Sequence, residues 1–99
     1  MNFFYTNVAK DDIREILTYL KSLDKKVPDK FLHELDLKKS MLVMFPLSGT
    51  KIATPTLQLE YRFVRINGYL LVYTINDSKN RIEVSRLLAE KTNWKFLIR

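Results

Sequence analysis

Ninety-nine residues, 46% of them hydrophobic and 12% aromatic, are enough for one core and too few for two, so residues 1–99 are expected to form a single domain. The lack of cysteine excludes a disulfide framework and a thiolate metal site, and the lone histidine, His33, builds no metal site by itself. No metal or other cofactor is therefore expected, and the 17 Lys and Arg against 11 Asp and Glu, a formal net charge of +6, bias the partners toward nucleic acid, ribonucleoprotein or an acidic protein.

The opening "MNFFYT" is short and aromatic, which suits a strand, and Thr6 or Asn7 is placed to cap a helix starting directly after it. It lacks the basic segment, apolar run and small-residue site of a signal peptide, and no apolar stretch nears membrane-spanning length. A cytoplasmic protein with no membrane partner is the expectation. From Val8 to Leu23 the residues Ile13, Ile16, Leu17, Leu20 and Leu23 recur three and four apart, with Asp11, Asp12, Arg14, Glu15 and Lys21 between them. That spacing predicts an amphipathic helix. "DKKVPDK" breaks it, Pro28 fits the first turn of a second helix carrying Phe31, Leu32, Leu35, Leu42 and Phe45, and Pro46 stops that helix.

"PLSGTKIATPT", residues 46–56, reads as a surface loop. Three runs of β character come after it, 57–66, 69–75 and 81–88, joined by "NG" and "NDSKN" as an antiparallel meander. The middle run, "YLLVYTI", is apolar on both faces, as a central strand should be. The expected fold is α+β: an N-terminal strand, a two-helix hairpin on one face, and the meander, in one sheet, with a short C-terminal helix or arm in "EKTNWKFLIR".

Two arginines break the strand pattern. Alternation puts Arg65 on the row of Leu59, Tyr61 and Phe63, and Arg86 on the row of Ile82, Val84 and Leu88. A buried, unpartnered guanidinium costs several kcal/mol, so each must reach solvent, a carboxylate or an anion. Two forks projecting into one concavity would make a phosphate or carboxylate site. The alternative is that Arg65 snorkels to the sheet rim or pairs with an acid such as Glu60 or Glu83.

With "MFPLSG" closing the second helix, "VRINGYLLVYTI" in the hairpin and "IEVSRLLAEKTNW" in the last strand and tail, the chain resembles the RelE/ParE superfamily of toxins from type II toxin-antitoxin systems over nearly its whole length. The resemblance implies a small cytosolic toxin that arrests growth until a cognate acidic antitoxin wraps it. It offers two targets: messenger RNA cut in the ribosome, or DNA gyrase poisoned. Arg65, Tyr69 and Arg86 match the family's hairpin and last-strand positions. The tail resembles the ParE branch in Arg86, Leu87, Leu88, Asn93 and Trp94, with Ala89 where that pattern has histidine.

RNA cleavage by 2′-hydroxyl attack needs a base, an acid and cations for the developing charge. Arg65 and Arg86 supply cations, while Glu60, Tyr61, Tyr69 and Lys91 are the proton-transfer candidates, none of them a histidine poised near neutrality. His33, in "FLHELDLKK", reads as an exposed helix residue. Whether the chain is an enzyme is thus left open. A gyrase poison needs only a complementary surface, and the apolar and basic tail, Trp94, Lys95, Phe96, Leu97 and Arg99, is the expected partner-binding segment. Trp94 and Phe96 packing onto the chain's own core is the competing reading. A third reading is an inactive relative that acts only as a binding module.

Overall fold

A computed structural model describes residues 1–53 and 59–92. Strand β1 (Asn2–Tyr5) leads into helix α1 (Asn7–Leu23), helix α2 (Val27–Met44), a 3-10 turn (Pro46–Ser48) and strands β2 (Thr50–Lys51), β3 (Arg62–Ile66), β4 (Tyr69–Asn76) and β5 (Arg81–Ala89). The strands form one sheet in the order β1-β5-β4-β3-β2. β1 runs parallel to β5, and the other pairings are antiparallel.

The α+β arrangement and the β3-β4-β5 meander are those expected. The segment 46–56 is less of a loop than its prolines suggest, since it holds the 3-10 turn and the short edge strand β2. The strand expected from residue 57 starts only at Arg62; residues 57 and 58 lie outside the described residues, as does the tail from 93 onward.

The helix stripe explains the packing. Ala9, Ile16 and Leu20 of α1 and Phe31, Leu35 and Leu42 of α2 are buried against Val64, Ile66, Leu71, Tyr73, Ile82, Val84 and Leu87 of the sheet. Thr6 caps α1, its hydroxyl accepting from the Ala9 N–H at 3.1 Å. The other sheet face carries a second apolar cluster of Ile52, Leu70, Val72 and Leu88, with Tyr61 and Phe63 packed on it. β4 therefore feeds both faces, as its unbroken apolar run requires. Asn67 and Gly68 take φ of 44° and 85°, the paired positive values of a tight hairpin turn whose twist matches the strands.

The 3-10 turn is pinned to the sheet by side chains. Tyr73 donates its hydroxyl to the Pro46 carbonyl at 2.6 Å and accepts from the Gly49 N–H at 3.0 Å. Arg62 Nη1 donates to the Gly49 and Leu47 carbonyls at 2.9 and 3.2 Å. Gly49 is needed for close approach, because a Cβ there would lie 2.4 Å from Tyr73 Oη. "MFPLSG" is thus a structural latch.

Candidate functional site

The strand count that placed Arg86 with Ile82, Val84 and Leu88 fails because β5 carries a bulge. Val72 pairs with Arg86 while Tyr73 pairs with Val84, so Ser85 is the extra residue and the alternation changes phase. Ile82, Val84 and Leu87 face the helices, and Leu88 faces the second cluster. The bulge falls where β1 ends, and the start of α1 takes over as the neighbour of β5. Thr6 donates its backbone N–H to the Val84 carbonyl at 3.1 Å and its hydroxyl to the Ser85 carbonyl at 3.1 Å.

Asp12 completes that junction. Its Oδ2 accepts from Arg86 Nε at 2.8 Å and from the Leu87 N–H at 3.0 Å, and its Oδ1 accepts from Arg86 Nη2 at 3.1 Å. The hydrogen bond to Asp12 holds the Arg86 guanidinium above its ordinary pKa, against the opposing pull of burial. One carboxylate thereby satisfies the Leu87 N–H, beyond the last β1–β5 pair, and fixes the direction of the guanidinium. Asp12 falls on the inward stripe, where Ala9, Asp12, Ile16 and Leu20 follow one another three and four residues apart. Its position among Asp11, Arg14 and Glu15 groups it instead with the solvent-facing charges.

Arg65 takes the opposite course. It projects from the face bearing Tyr61 and Phe63, as alternation requires, with its guanidinium 5.5 Å from the Phe63 ring centre and its Nε donating to Glu90. Its side chain remains 65% exposed. Of the alternatives, pairing with an acid is the one observed, though the acid is neither Glu60 nor Glu83 but Glu90, just past β5 and brought alongside by the β3-β4-β5 pairing. By register, Phe63, Val72 and Arg86 form one row across the sheet and Arg65, Leu70 and Leu88 the next. The two arginines thus stand two strands and one row apart, about 12 Å, each already on a carboxylate. The single concavity holding both forks is not formed: the groove at Arg86, about 260 Å³, is lined by Asp12, Glu15, Tyr19, Tyr69 and Ala89 and not by Arg65.

Around that groove the structure gathers some of the weaker candidates. Tyr69, Lys91 and Glu90 line an adjoining groove with Tyr19, Asn67 and Gly68. Tyr69 rests edge-on against Phe31 at 5.6 Å, and burial, with Tyr19 adding to it, pushes its phenol above the ordinary range. Tyr61 packs on the second cluster. Glu60 is elsewhere, at the far end of β3 from the hairpin turn, where Lys51 at 3.1 Å and Arg62 at 3.2 Å hold it below the usual carboxylate range, the hydrogen bond from Lys51 contributing most. It pairs with cations remote from Arg65 and is no partner for it. His33 is exposed on α2, as its helix position implies. Trp94, Lys95, Phe96, Leu97 and Arg99 lie outside the described residues. Among the described residues, no His, Cys, Asp and Glu group is placed to hold a metal ion, and no helix is long and apolar enough to cross a membrane.

This helix hairpin laid on a meander with β1 beside β5 is the fold of the RelE/ParE toxins, the class the sequence resembles. The family described as the ParE toxin of the type II toxin-antitoxin system parDE matches residues 3–94, and the chain belongs to it. Two solved structures share the fold. A chain from the chromosomal ParDE system of P. aeruginosa superposes with a TM-score of 0.65 at 15% identity, covering 90% of this chain and 95% of that one. A chain from the archaeal RelE-RelB complex of Pyrococcus horikoshii OT3 gives 0.50 at 18% identity, covering 91% and 94%. No curated protein matches the chain significantly.

Proposed function

We propose that this ParE-family toxin arrests bacterial growth from the cytoplasm by docking on DNA gyrase, and that a cognate acidic antitoxin neutralises it. The observation that carries the reading is the state of the arginines. Arg86 is held by Asp12 and Arg65 by Glu90, and around them stand a tyrosine with a raised pKa, a lysine and the exposed Glu15, with no histidine among the described residues that line the grooves. RNA cleavage needs an acid, a base and uncommitted cations at one phosphate. A docking surface needs only that side chains be held in place, which these pairs do. The family match and the shared fold with a ParDE-system chain support the same reading. An antitoxin segment that folds as it binds suits the net charge of +6.

The test is brief induction in bacteria without antitoxin, beside the Arg65→Ala/Arg86→Ala double variant, with messenger RNA 5′ ends mapped and the DNA-damage response followed. Growth arrest with intact messages, an induced damage response and gyrase inhibited in a supercoiling assay is the expected result. New cuts inside translated codons, absent from the double variant, would establish the ribosome-dependent nuclease instead. A double variant as toxic as wild type would remove Arg65 and Arg86 from the site.

A further inference from the structure

The formal charge of +6 is not spread evenly over the kinds of cation. Every described arginine stands on a carboxylate: Arg14 on Asp11, Arg62 on Glu60, Arg65 on Glu90, Arg81 on Glu83 and Arg86 on Asp12. The lysines at the tip of the α1-α2 hairpin behave differently. Lys21, Lys25, Lys26 and Lys30 fall within ten residues, all are exposed, and none has an ion-pair partner among the described residues. Of the two acids in the same stretch, Asp24 is already engaged, accepting the Lys26 N–H at 2.9 Å, and Asp29 sits in the first turn of α2.

The tip is part of one end of the molecule. The groove that holds Tyr19 and Leu20 near the end of α1 also holds Asn67 and Gly68 of the hairpin turn and Glu90 and Lys91 after β5. Lys91 therefore extends the same cationic edge. At the opposite end, Lys51, Arg62 and Arg81 are matched by Glu60 and Glu83.

We propose that the lysine tip of the α1-α2 hairpin binds the phosphate backbone of duplex DNA. Ammonium groups on flexible stems, free of carboxylates and carried on a convex turn, make sequence-independent phosphate contacts and release counterions as they do so. The patch is short, and a duplex offers about one charge per 1.7 Å of axis, twice the density of either strand alone. A membrane would need a larger apolar anchor than Leu23, the exposed leucine at the tip, provides. The contact uses neither Arg65 nor Arg86 and does not depend on what the toxin inhibits.

The experiment is fluorescence anisotropy of the full chain on a labelled duplex of about 20 base pairs, repeated across a salt series. The slope of log K against log salt changes by about 0.9 per phosphate contact, so the Lys21→Gln/Lys25→Gln/Lys26→Gln/Lys30→Gln variant should be shallower than wild type by about 3 to 4. The control is Lys10→Gln/Lys38→Gln/Lys39→Gln/Lys79→Gln, which removes the same charge elsewhere and should lose clearly less. Both variants are checked for the wild-type circular dichroism spectrum and melting temperature. An unchanged slope in the tip variant overturns the proposal, as does an equal loss in the control. Equal or tighter binding of a single strand, polyglutamate or phosphatidylserine vesicles through the same lysines overturns the choice of duplex DNA. Wild-type protein that arrests growth yet binds no duplex overturns this contact and leaves the toxin reading standing.

Discussion

Removing the Asp12 carboxylate should unfasten the junction between α1 and β5 and cost more than any exposed ion pair in the chain. The side chains of Asp12 and Arg86 are only 11% and 25% exposed, and the carboxylate accepts from Arg86 Nε, Arg86 Nη2 and the Leu87 N–H. Breaking a fully buried pair by deleting one partner costs about 3–5 kcal/mol, because the other charge is stranded. Water reaches the quarter-exposed arginine, which brings Asp12→Ala to about 2–3 kcal/mol. For a domain of this size that is a fall of roughly 10–20 °C in melting temperature. Arg86→Ala should cost less, about 1–2 kcal/mol, since the remaining carboxylate still caps the Leu87 N–H and is itself partly hydrated. Thermal and urea unfolding of both single variants and the double variant closes the cycle. A melting temperature for Asp12→Ala within about 2 °C of wild type, or a coupling near zero, would refute the view that the pair fixes the bulge.

The latch at the other end of the sheet gives its own tests. Gly49→Ala forces a Cβ to 2.4 Å from Tyr73 Oη and should destabilise by about 1–3 kcal/mol, read by urea titration. Tyr73→Phe removes both hydroxyl bonds and should cost about 1–3 kcal/mol at neutral pH. Burial raises the Tyr73 phenol above its ordinary value, so the stability tied to its neutral form is complete below about pH 10 and is lost as pH rises through the folded value. The gap between wild type and Tyr73→Phe should therefore narrow above about pH 10, and a gap that widens there would be the wrong sign. Arg65→Ala, whose pair with Glu90 is exposed, should shift stability by less than about 1 kcal/mol while abolishing growth arrest. A large fall in melting temperature for that variant would make Arg65 structural.

The elements that could be read in advance are those whose own residues set their period. The helix stripe, the Asn67-Gly68 turn and the unbroken apolar run of β4 each specify their geometry locally and are where they were expected, except that Leu23, Leu32 and Phe45 of the stripe are exposed and Phe45 lies just past the end of α2. Arg65 also lies on the face that alternation assigns it, because β3 is regular from Arg62 to Ile66. What could not be read depends on where β1 stops. The bulge at Ser85 answers to the departure of the chain into α1, nearly eighty residues earlier in the sequence, and nothing in "EVSRLL" announces it. Both carboxylate partners of the arginines arise from such long-range placement. The latch is similar: a glycine after Pro46 looks like a loop residue until Tyr73 is seen resting on it.

These placements change what the arginines can do. A guanidinium awaiting a phosphate must be free of carboxylates or give one up, and letting go of Asp12 would break two hydrogen bonds and leave a largely buried carboxylate without its counter-charge. Arg86 is consequently better suited to holding the edge of β5 and the wall of its groove in one shape than to stabilising charge on a reacting group. Arg65, exposed and lying over Phe63, keeps its fork open to a partner on one side while Glu90 takes the other. The two residues that look equivalent as arginines in strands should therefore separate under substitution by lysine. Arg86→Lys keeps the charge but loses the fork that spans both Asp12 oxygens, and should lower the melting temperature by several degrees. Arg65→Lys should leave it unchanged. If growth arrest then survives Arg86→Lys at a temperature where the variant is folded but fails with Arg65→Lys, Arg65 is the contact and Arg86 its support; the reverse pattern would exchange those roles.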